Sequence, residues 1–253
     1  MSTDATSSVQ IGAWSMLGTP AAASLMSRVG ADWVVLDSQH GLYDDAGVIA
    51  AVPAASSVPV HVRVSANTPA LIGRALDAGA AGVIVPMVQD ATEAATAASA
   101  CRYAPEGTRS WGPLAAYRGE PTVPPAEANA RVSCAVMVET PAAVADVDAI
   151  AAAPGVDIVF VGPFDLSIAL GMDVADLLAD RTPGNPLDRI VTACRAAGTV
   201  AGAFAGGRDA ADALLGRGFT WVAVAVDTQL ITAAGTALVA DTRGAARRPE
   251  ENR

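Results

Sequence analysis

Residues 134–165 read CAVMVETPAAVADVDAIAAAPGVDIVFVGPFD and contain one complete repeat of the pattern that decides the fold. An apolar run at 134–139 is followed by an alanine-rich segment with helical spacing at 141–152, and a second apolar run follows at 157–162. Proline opens the alanine-rich segment, where its fixed φ suits the first position of a helix. This alternation predicts βα units around a parallel sheet.

The same alternation extends along the whole chain and predicts eight strands. The apolar runs lie at residues 11–15, 33–37, 60–64, 82–86, 134–139, 157–162, 200–204 and 221–226. The helical segments between them include residues 20–28, 69–78, 91–101, 141–152, 187–197 and 209–217. Eight such units predict an α/β protein with a (β/α)8 TIM barrel as its single domain. An open doubly wound sheet is the alternative, but it usually has fewer strands, and no GxGxxG motif follows the first strand here.

The barrel pattern predicts where the catalytic domain begins and ends. We assign residues 10–240 to the barrel, with polar tails at 1–9 and 241–253. Residues 104–130 are rich in proline, glycine and arginine and are too long for an ordinary connection, so they are predicted to form a functional loop. Residues 171–186 are interpreted as an excursion after the sixth unit.

The composition excludes several classes of function. The 253 residues include 16 basic and 26 acidic side chains, a net charge of −10, so nucleic acids and anionic membranes are poor partners. All 16 basic residues are arginine, which excludes Schiff-base catalysis, an internal PLP aldimine and a Walker A lysine. The sequence shows no signal peptide, no membrane-spanning run and no CxxC pair among its three cysteines. These features predict a cytoplasmic protein.

Two carboxylates stand at adjacent strand ends, which is where the active site of a barrel of this kind lies. Glu139 closes the run at 134–139, and Asp165 follows the run at 157–162. The pair predicts a site for a hard divalent cation such as Mg²⁺ or Mn²⁺, with positions left for water and substrate oxygens. The alternative is that each residue caps a helix.

Three more side chains at strand ends indicate acid–base and anion-binding chemistry. His40 lies three residues after Asp37, and an aspartate can hold an imidazole in one tautomer as a general base. A loop histidine with local hydrogen bonds is the alternative for His40. Arg63 lies between valines in the third strand, where it needs an anionic substrate or a carboxylate as partner. His61 shares the Arg63 face at a deeper position and is interpreted as structural.

Further groups at the strand ends complete the candidate substrate site. Gln89 follows the fourth strand and is predicted, together with Arg63, to contact substrate. The turn formed by Gly162, Pro163 and Phe164 is predicted to bind a substrate carboxylate through backbone N–H groups at a helix start.

At these residues the sequence closely resembles the HpcH/HpaI aldolase family, which are metal-dependent pyruvate aldolases. The resemblance covers nearly the whole chain, in the order GAWSMLGTP, LDSQHG, VRV with Asn67, VPMVQDATEA, YAPEGTRSWGP, VMVETPAAV, VFVGPFDLS and VAVAVDT. It implies that Glu139 and Asp165 are metal ligands, that Arg63 polarises the keto acid, and that Asp37 and His40 form the acid–base pair. It also implies a homo-oligomer, specifically a hexamer.

The resemblance implies reversible cleavage of a 4-hydroxy-2-oxo acid to pyruvate and an aldehyde. A divalent metal (Mg²⁺, Mn²⁺ or Co²⁺) would stabilise the pyruvate enolate, Arg63 would share its charge, and His40 would take the proton of the C4 hydroxyl. The sequence departs from the family pattern at three positions. Members often have Glu where Gln39 stands, some have Gln where Met137 stands, and Gly is usual where Ala225 stands. An acyl-CoA lyase, an oxaloacetate decarboxylase or a non-catalytic metabolite-binding barrel are the alternatives.

Overall fold

Eight strands close into a barrel, because each strand pairs with the next along the chain and the eighth pairs with the first. In the computed structural model, which describes residues 8–246, all of these pairs are parallel. The strands are β1 (Gln10–Ser15), β2 (Trp33–Asp37), β3 (Val60–Arg63), β4 (Gly82–Val85), β5 (Ser133–Val138), β6 (Ile158–Val161), β7 (Val200–Phe204) and β8 (Trp221–Val226). The predicted (β/α)8 barrel is confirmed, with strand bounds within about one residue of those expected.

Helices connect the strands, and the last helix follows β8. They are α1 (Pro20–Met26), α2 (Asp45–Ala54), α3 (Pro69–Asp77), α4 (Ala91–Cys101), α5 (Pro125–Arg131), α6 (Pro141–Ala145), α7 (Val147–Ala151), α8 (Pro163–Leu170), α9 (Val174–Ala179), α10 (Pro186–Ala197), α11 (Arg208–Leu215) and α12 (Asp227–Ala246). The predicted segment 141–152 is divided between α6 and α7 at Asp146, whose carboxylate accepts a hydrogen bond from the Ala91 N–H at 2.9 Å. The excursion at 171–186 contains α9.

Residues 104–130 do not lie beside the carboxyl ends of the strands. They join α4 to β5, so they follow a helix and belong to the amino-terminal side of the barrel. Arg109 pairs with Asp77 at 2.8 Å, and Arg118 donates to the Ala78 carbonyl, which ties the segment to the end of α3. The segment is therefore a largely exposed helix-to-strand connection on the face away from the strand carboxyl ends, and its functional role stays a prediction.

Large aromatic side chains fill the half of the barrel interior nearer the amino-terminal ends of the strands. Trp33 and Trp221 stack with ring centroids 3.5 Å apart and planes 8° apart. A Cβ at Gly12 would lie 2.2 Å from the Trp33 ring, and one at Gly202 would lie 2.8 Å from the Phe160 ring. These two strand positions therefore favour glycine, since a larger residue would push against the aromatic rings of the barrel interior.

The last helix extends past the predicted end of the barrel domain. The prediction placed a polar tail from residue 241, whereas α12 continues to Ala246, and residues 247–253 lie outside the described range. The predicted N-terminal tail at 1–9 precedes β1, and residues 1–7 likewise lie outside it. Within residues 8–246, no helix combines the length and the apolar character that crossing a bilayer requires.

Candidate active site

Asp37 and Arg63 form a buried ion pair at the carboxyl ends of β2 and β3. The two residues are paired in the strand register, so their side chains project from neighbouring strands at the same height. Asp37 Oδ1 accepts a hydrogen bond from Arg63 Nε at 2.9 Å, and Oδ2 accepts one from Nη2. The Arg63 guanidinium also lies over the Trp14 ring, 5.1 Å from its centroid. The partner that Arg63 needs is therefore Asp37.

The remaining contacts of Asp37 correct its predicted relation to His40. Asp37 Oδ1 accepts the backbone N–H groups of Gln39 and His40 at 2.9 and 3.2 Å, and Oδ2 accepts the Trp14 indole N–H at 3.1 Å. Burial by itself raises the pKa of Asp37, but the Arg63 guanidinium and these donors hold the pKa below its usual value. The expectation that Asp37 orients the His40 imidazole is wrong, because the carboxylate bonds the His40 backbone and its oxygens are already occupied.

Glu139 lies directly after β5 and is buried beside the loop that follows β4. Its Oε2 accepts the Met87 N–H at 3.1 Å. Met87 has φ 58°, a left-handed conformation that costs a non-glycine residue about 1–3 kcal/mol. The capping alternative for Glu139 is wrong, since the Thr140 hydroxyl caps α6 by accepting the Ala143 N–H.

Asp165 stands in the first turn of α8, across the Gly162 backbone from Glu139. Gly162 is the N-cap residue of α8 and makes no side-chain cap. A Cβ at Gly162 would lie 2.7 Å from Glu139 Oε1 and 3.4 Å from Asp165 Oδ2. Burial, together with the charge of Asp165, raises the pKa of Glu139 to about 7, although the Met87 N–H and Arg63 oppose the increase.

These two carboxylates have the chemistry of a site for a hard cation. Both reach the same glycine, and burial is the main cause of the raised pKa of Glu139, to which the charge of Asp165 adds. Among the described residues, no group of three or more His, Cys, Asp or Glu side chains could hold a metal. Two carboxylates with the remaining positions open to water and substrate suit Mg²⁺ or Mn²⁺, so the donor set fits the predicted cation.

A cavity of about 240 Å³ brings several of the predicted residues together. Asp37, His40, Arg63, Gly162 and Asp165 line it, with Phe164 at its exposed edge. Asp37 and Arg63 come from strands, whereas the others come from the loops and first helical turns that follow strands. The cavity therefore joins a buried ion pair, an accessible imidazole and a carboxylate in one small space.

The local structure restricts two of the residues predicted to contact substrate, Gln89 and Pro163, and the contact of Gln89 stays a prediction. Gln89 Nε2 donates to the Met87 carbonyl at 2.9 Å, and its Oε1 accepts the Thr140 hydroxyl at 2.8 Å. Its side chain therefore joins the loops on either side of Glu139, and both of its polar ends are used. Pro163 is buried and has no N–H, so it cannot donate to a carboxylate.

Sequence reasoning missed a second polar cluster at the ends of β1 and β8. Asp227 is buried, and its Oδ2 accepts the Ser15 hydroxyl and the Met16 N–H, both at 2.9 Å. The Ser15 hydroxyl also bonds the Tyr43 hydroxyl at 2.8 Å. Asp227 directly follows an apolar strand, so the criterion that selected Asp37 and Glu139 could have found it. The cluster fixes the loop that carries Met16 into the cavity.

Comparison with known proteins identifies the family. A family model described as HpcH/HpaI aldolase/citrate lyase matches residues 10–234. The chain belongs to this family. The 2-dehydro-3,6-dideoxy-6-sulfogluconate aldolase of Pseudomonas putida is 32% identical over 94% of this chain and 94% of that enzyme. The 5-keto-4-deoxy-D-glucarate aldolase of Salmonella paratyphi A is 42% identical, over 64% of this chain and 65% of that enzyme.

The solved structures agree with this assignment. An HpcH/HpaI aldolase/citrate lyase family protein from Burkholderia cenocepacia J2315 has a TM-score of 0.85 and 32% identity, covering 95% of this chain and 96% of that one. Both named relatives are aldolases, which make or break carbon–carbon bonds. The prediction of a carbon–carbon lyase of the HpcH/HpaI family is confirmed.

Proposed function

We propose that this member of the family cleaves a 4-hydroxy-2-oxo acid reversibly to pyruvate and an aldehyde, with Glu139 and Asp165 as the ligands of a divalent cation. The observation that carries the proposal is the convergence of both carboxylates on Gly162, at the edge of the cavity that Arg63 and His40 line. Aldolases and lyases of this family generally depend on a divalent metal. Mg²⁺, Mn²⁺ and Co²⁺ are the candidates for this chain.

When bound, the cation would supply a Lewis acid for the oxygens of the keto acid and for the enolate charge. The protein supplies the second positive charge through Arg63, which Asp37 and Trp14 hold in place. The N–H groups of Phe164 and Asp165, in the first turn of α8, are free of helical partners and suit the substrate carboxylate. These groups bind the keto acid and favour the enolate over the ground state.

His40 performs the proton transfer in this proposal. It takes the proton of the C4 hydroxyl, directly or through water, while the C3–C4 bond breaks and its electron pair forms the enolate. The hydroxyl carbon leaves as the aldehyde, and protonation of the enolate at C3 gives pyruvate. His40 is exposed at the cavity, so its imidazole can exchange protons with solvent between turnovers.

A homo-oligomer belongs to the same proposal, and a hexamer is the state that the family resemblance implies. From Gln229 to Gly244 the residues of α12 are exposed, among them Leu230, Ile231, Leu238 and Val239. An isolated helix that exposes apolar side chains is marginally stable in water. In a (β/α)8 barrel the helix after the eighth strand covers the region beside the first helix, and α1 here exposes Leu25. We expect α12 of a second copy to cover this region, because it is the region that the last helix covers in this fold.

Sedimentation of an α12 variant tests the association. Leu238→Asp should shift the protein to smaller species, whereas Thr236→Asp, which adds the same charge at a polar position of the helix, should retain the wild-type mass. A wild-type monomer at micromolar concentration would contradict the oligomer and leave the chemistry of the site to its own test.

Metal depletion tests the proposed reaction. The enzyme is treated with EDTA, dialysed, and assayed for exchange of the pyruvate methyl protons in D₂O and for addition of pyruvate to a panel of aldehydes. Both activities should disappear and return with Mg²⁺, Mn²⁺ or Co²⁺. Turnover by metal-free enzyme would contradict the proposal. Absence of both activities with every metal would favour the non-catalytic barrel.

A further inference from the structure

The wall of the catalytic cavity is divided between charged and apolar residues. The charged part consists of Asp37, His40, Arg63 and Asp165, all of which the proposed reaction uses. Apart from the backbone of Gly162, the rest of the described lining is apolar. It consists of Trp14, Met16, Met137, Phe164 and Phe204. A substrate group that extends beyond the reacting atoms therefore meets carbon and sulfur atoms.

Trp14, Met16 and Phe204 are held in place by packing or by hydrogen bonds of their backbone, whereas Phe164 lies at the exposed edge. Phe204 packs edge-on against Trp14 with ring centroids 5.0 Å apart, and Trp14 stacks on Phe160 at 5.9 Å. The backbone N–H of Met16 is bonded to Asp227, which positions its side chain at the cavity. Polar groups on the same elements, such as the Ser15 hydroxyl, are already bonded within the protein. The apolar surface is therefore a built part of the site.

The charges of the cavity provide no counter-ion for a second acidic group on the substrate. Arg63 is the one basic residue among the described side chains that line it, and two of its nitrogen atoms are bonded to Asp37. A carboxylate or sulfonate on the aldehyde would lose its hydration without gaining a partner. A hydroxyl group would be buried without an acceptor or donor among the lining side chains, apart from the groups already assigned to the reaction.

We infer that the aldehyde partner of this enzyme is a small, uncharged molecule with an apolar substituent, held by Met16, Phe164 and Phe204. The inference rests on the proposed function, since it names the second substrate of that reaction. The cavity is smaller than the 300–1,000 Å³ typical of sites for drug-sized ligands, which limits the substituent to a short aliphatic or single-ring group. The two aldolases reported above are named instead for glucarate and sulfogluconate derivatives.

Propanal and glycolaldehyde provide the decisive comparison, because they differ by a methyl group in place of a hydroxyl. Each is combined with pyruvate and the holoenzyme, and kcat/KM is referred to the free aldehyde concentration measured by NMR. Propanal should be preferred by about 10- to 100-fold, the range over which an apolar pocket discriminates such groups. Butanal should likewise be preferred over the anion succinic semialdehyde.

Substitutions of Met16 assign the preference to the cavity wall. Met16→Gln keeps the side-chain length and adds an amide, so the ratio of kcat/KM for propanal to that for glycolaldehyde should fall by at least about threefold. Met16→Leu conserves an apolar wall and should retain a ratio close to the wild-type value. A ratio that Met16→Gln leaves unchanged would remove Met16 from the aldehyde site and overturn the inference.

Exchange of the pyruvate methyl protons in D₂O tests the proposed function separately from the inference about the aldehyde, because exchange needs no aldehyde. Exchange together with a preference for glycolaldehyde or succinic semialdehyde overturns the inference and leaves the proposed function standing. That outcome would direct attention to the neighbouring polar cavity that Gln39, Asn67 and Thr92 line. Absence of exchange with every metal overturns the proposed function, and the inference fails with it.

Discussion

His61 and Arg63 lie two residues apart on the same face of β3, yet they occupy opposite kinds of environment inside the barrel. Arg63, at the carboxyl end, is paired with Asp37 and stacked on Trp14. His61, one layer deeper, contacts the Trp33 and Trp221 rings, and its Nε2 shares a hydrogen bond with Ser133 at 3.1 Å. Its Nδ1 has no partner among the described residues. β3 therefore carries a paired charge at Arg63 and a buried imidazole with one unbonded nitrogen at His61.

The difference shows that the packed aromatic layer and the charged candidate site lie at different depths of the barrel interior. Burial lowers the pKa of His61 to about 4, so the imidazole is neutral near pH 7 and the aromatic layer around it carries no charge. At the other end, ionised Asp37 and Arg63 offset each other, and Arg63 also opposes the increase that burial and Asp165 cause in the pKa of Glu139. The charged side chains that the proposed reaction uses are therefore concentrated at the carboxyl end, where function is expected in this fold.

Removal of a carboxylate from the charged end should have the largest effect. Glu139→Gln and Asp165→Ala should each weaken Mn²⁺ binding by more than about 100-fold, because residues that merely support a ligand contribute 10–100-fold. Aldol cleavage should become undetectable in both variants. Titration calorimetry with Mn²⁺ measures the affinity, and steady-state kinetics measures the activity.

Asp173→Ala is the matched control for this prediction. Asp173 caps α9 by accepting the Ala175 N–H, so its loss should cost about 1 kcal/mol of stability and leave Mn²⁺ affinity unchanged. Wild-type Mn²⁺ affinity in Glu139→Gln and Asp165→Ala would show that both carboxylates have structural roles alone.

Replacement of His40 should separate proton transfer from enolate formation. His40→Ala should lower kcat for aldol cleavage by about 10²–10⁴-fold, the usual contribution of a general base. The rates of oxaloacetate decarboxylation and pyruvate proton exchange should fall less in this variant, because decarboxylation has no C4 hydroxyl to deprotonate. Arg63→Ala should depress all three reactions together, since it removes charge that stabilises their common enolate. Equal losses in the three reactions of His40→Ala would rule out its assignment as the hydroxyl base.

The buried pair of Asp37 and Arg63 should contribute more to the free energy of unfolding than an exposed ion pair does. Arg63→Met leaves Asp37 buried without its cation and should lower the free energy of unfolding by about 3–5 kcal/mol. Asp37→Asn combined with Arg63→Met should recover part of this loss. Arg208→Met, which breaks the exposed pair with Asp212, should produce no measurable change in urea unfolding. A small effect of Arg63→Met would mean that water reaches and solvates Asp37.

The fold was predictable because its signal is repeated and local. Each strand is an apolar run bounded by turn residues, and every pair in the barrel except the closing pair of β1 with β8 joins neighbours along the chain. The placement of residues 104–130 was not predictable from length and composition. Which end of the barrel a loop occupies depends on whether it follows a strand or a helix, and the predicted helix at 91–101 and strand at 134–139 already placed this segment after a helix.

The site was predictable in its residue types and less so in its contacts. Asp37, His40, Arg63 and Asp165 do line one cavity, because parallel strands deliver their carboxyl ends to one edge. The partner of Asp37 was misassigned, since the strand register brings Arg63 beside it and the carboxylate bonds only the backbone N–H of His40. The hydrogen bonds of Gln89 were not predictable, because those of an amide depend on neighbouring loops, here those of Met87 and Thr140.

The smallest effect is expected at the amino-terminal end of the barrel interior, where His61 should make stability depend on pH. Its pKa is about 4 in the folded protein and 6.5 in the unfolded chain, so the unfolded state binds more protons between these values. Stability should therefore fall as the pH decreases from 6.5 to 4, by as much as about 3 kcal/mol. Above pH 6.5 both states are neutral at this residue, and its contribution is constant.

Urea unfolding of wild type, His61→Gln and His40→Gln at pH 4.5, 5.5, 6.5 and 7.5 measures this contribution. Asp32 and Asp157 line the cavity beneath His61, so their titration forms a background that the three proteins share. His61→Gln should flatten the slope between pH 4.5 and 6.5, whereas His40→Gln, at the exposed end, should retain it. Equal slopes in all three proteins would mean that His61 accepts a proton in the folded state, and that the two ends of the barrel differ less in polarity than their packing indicates.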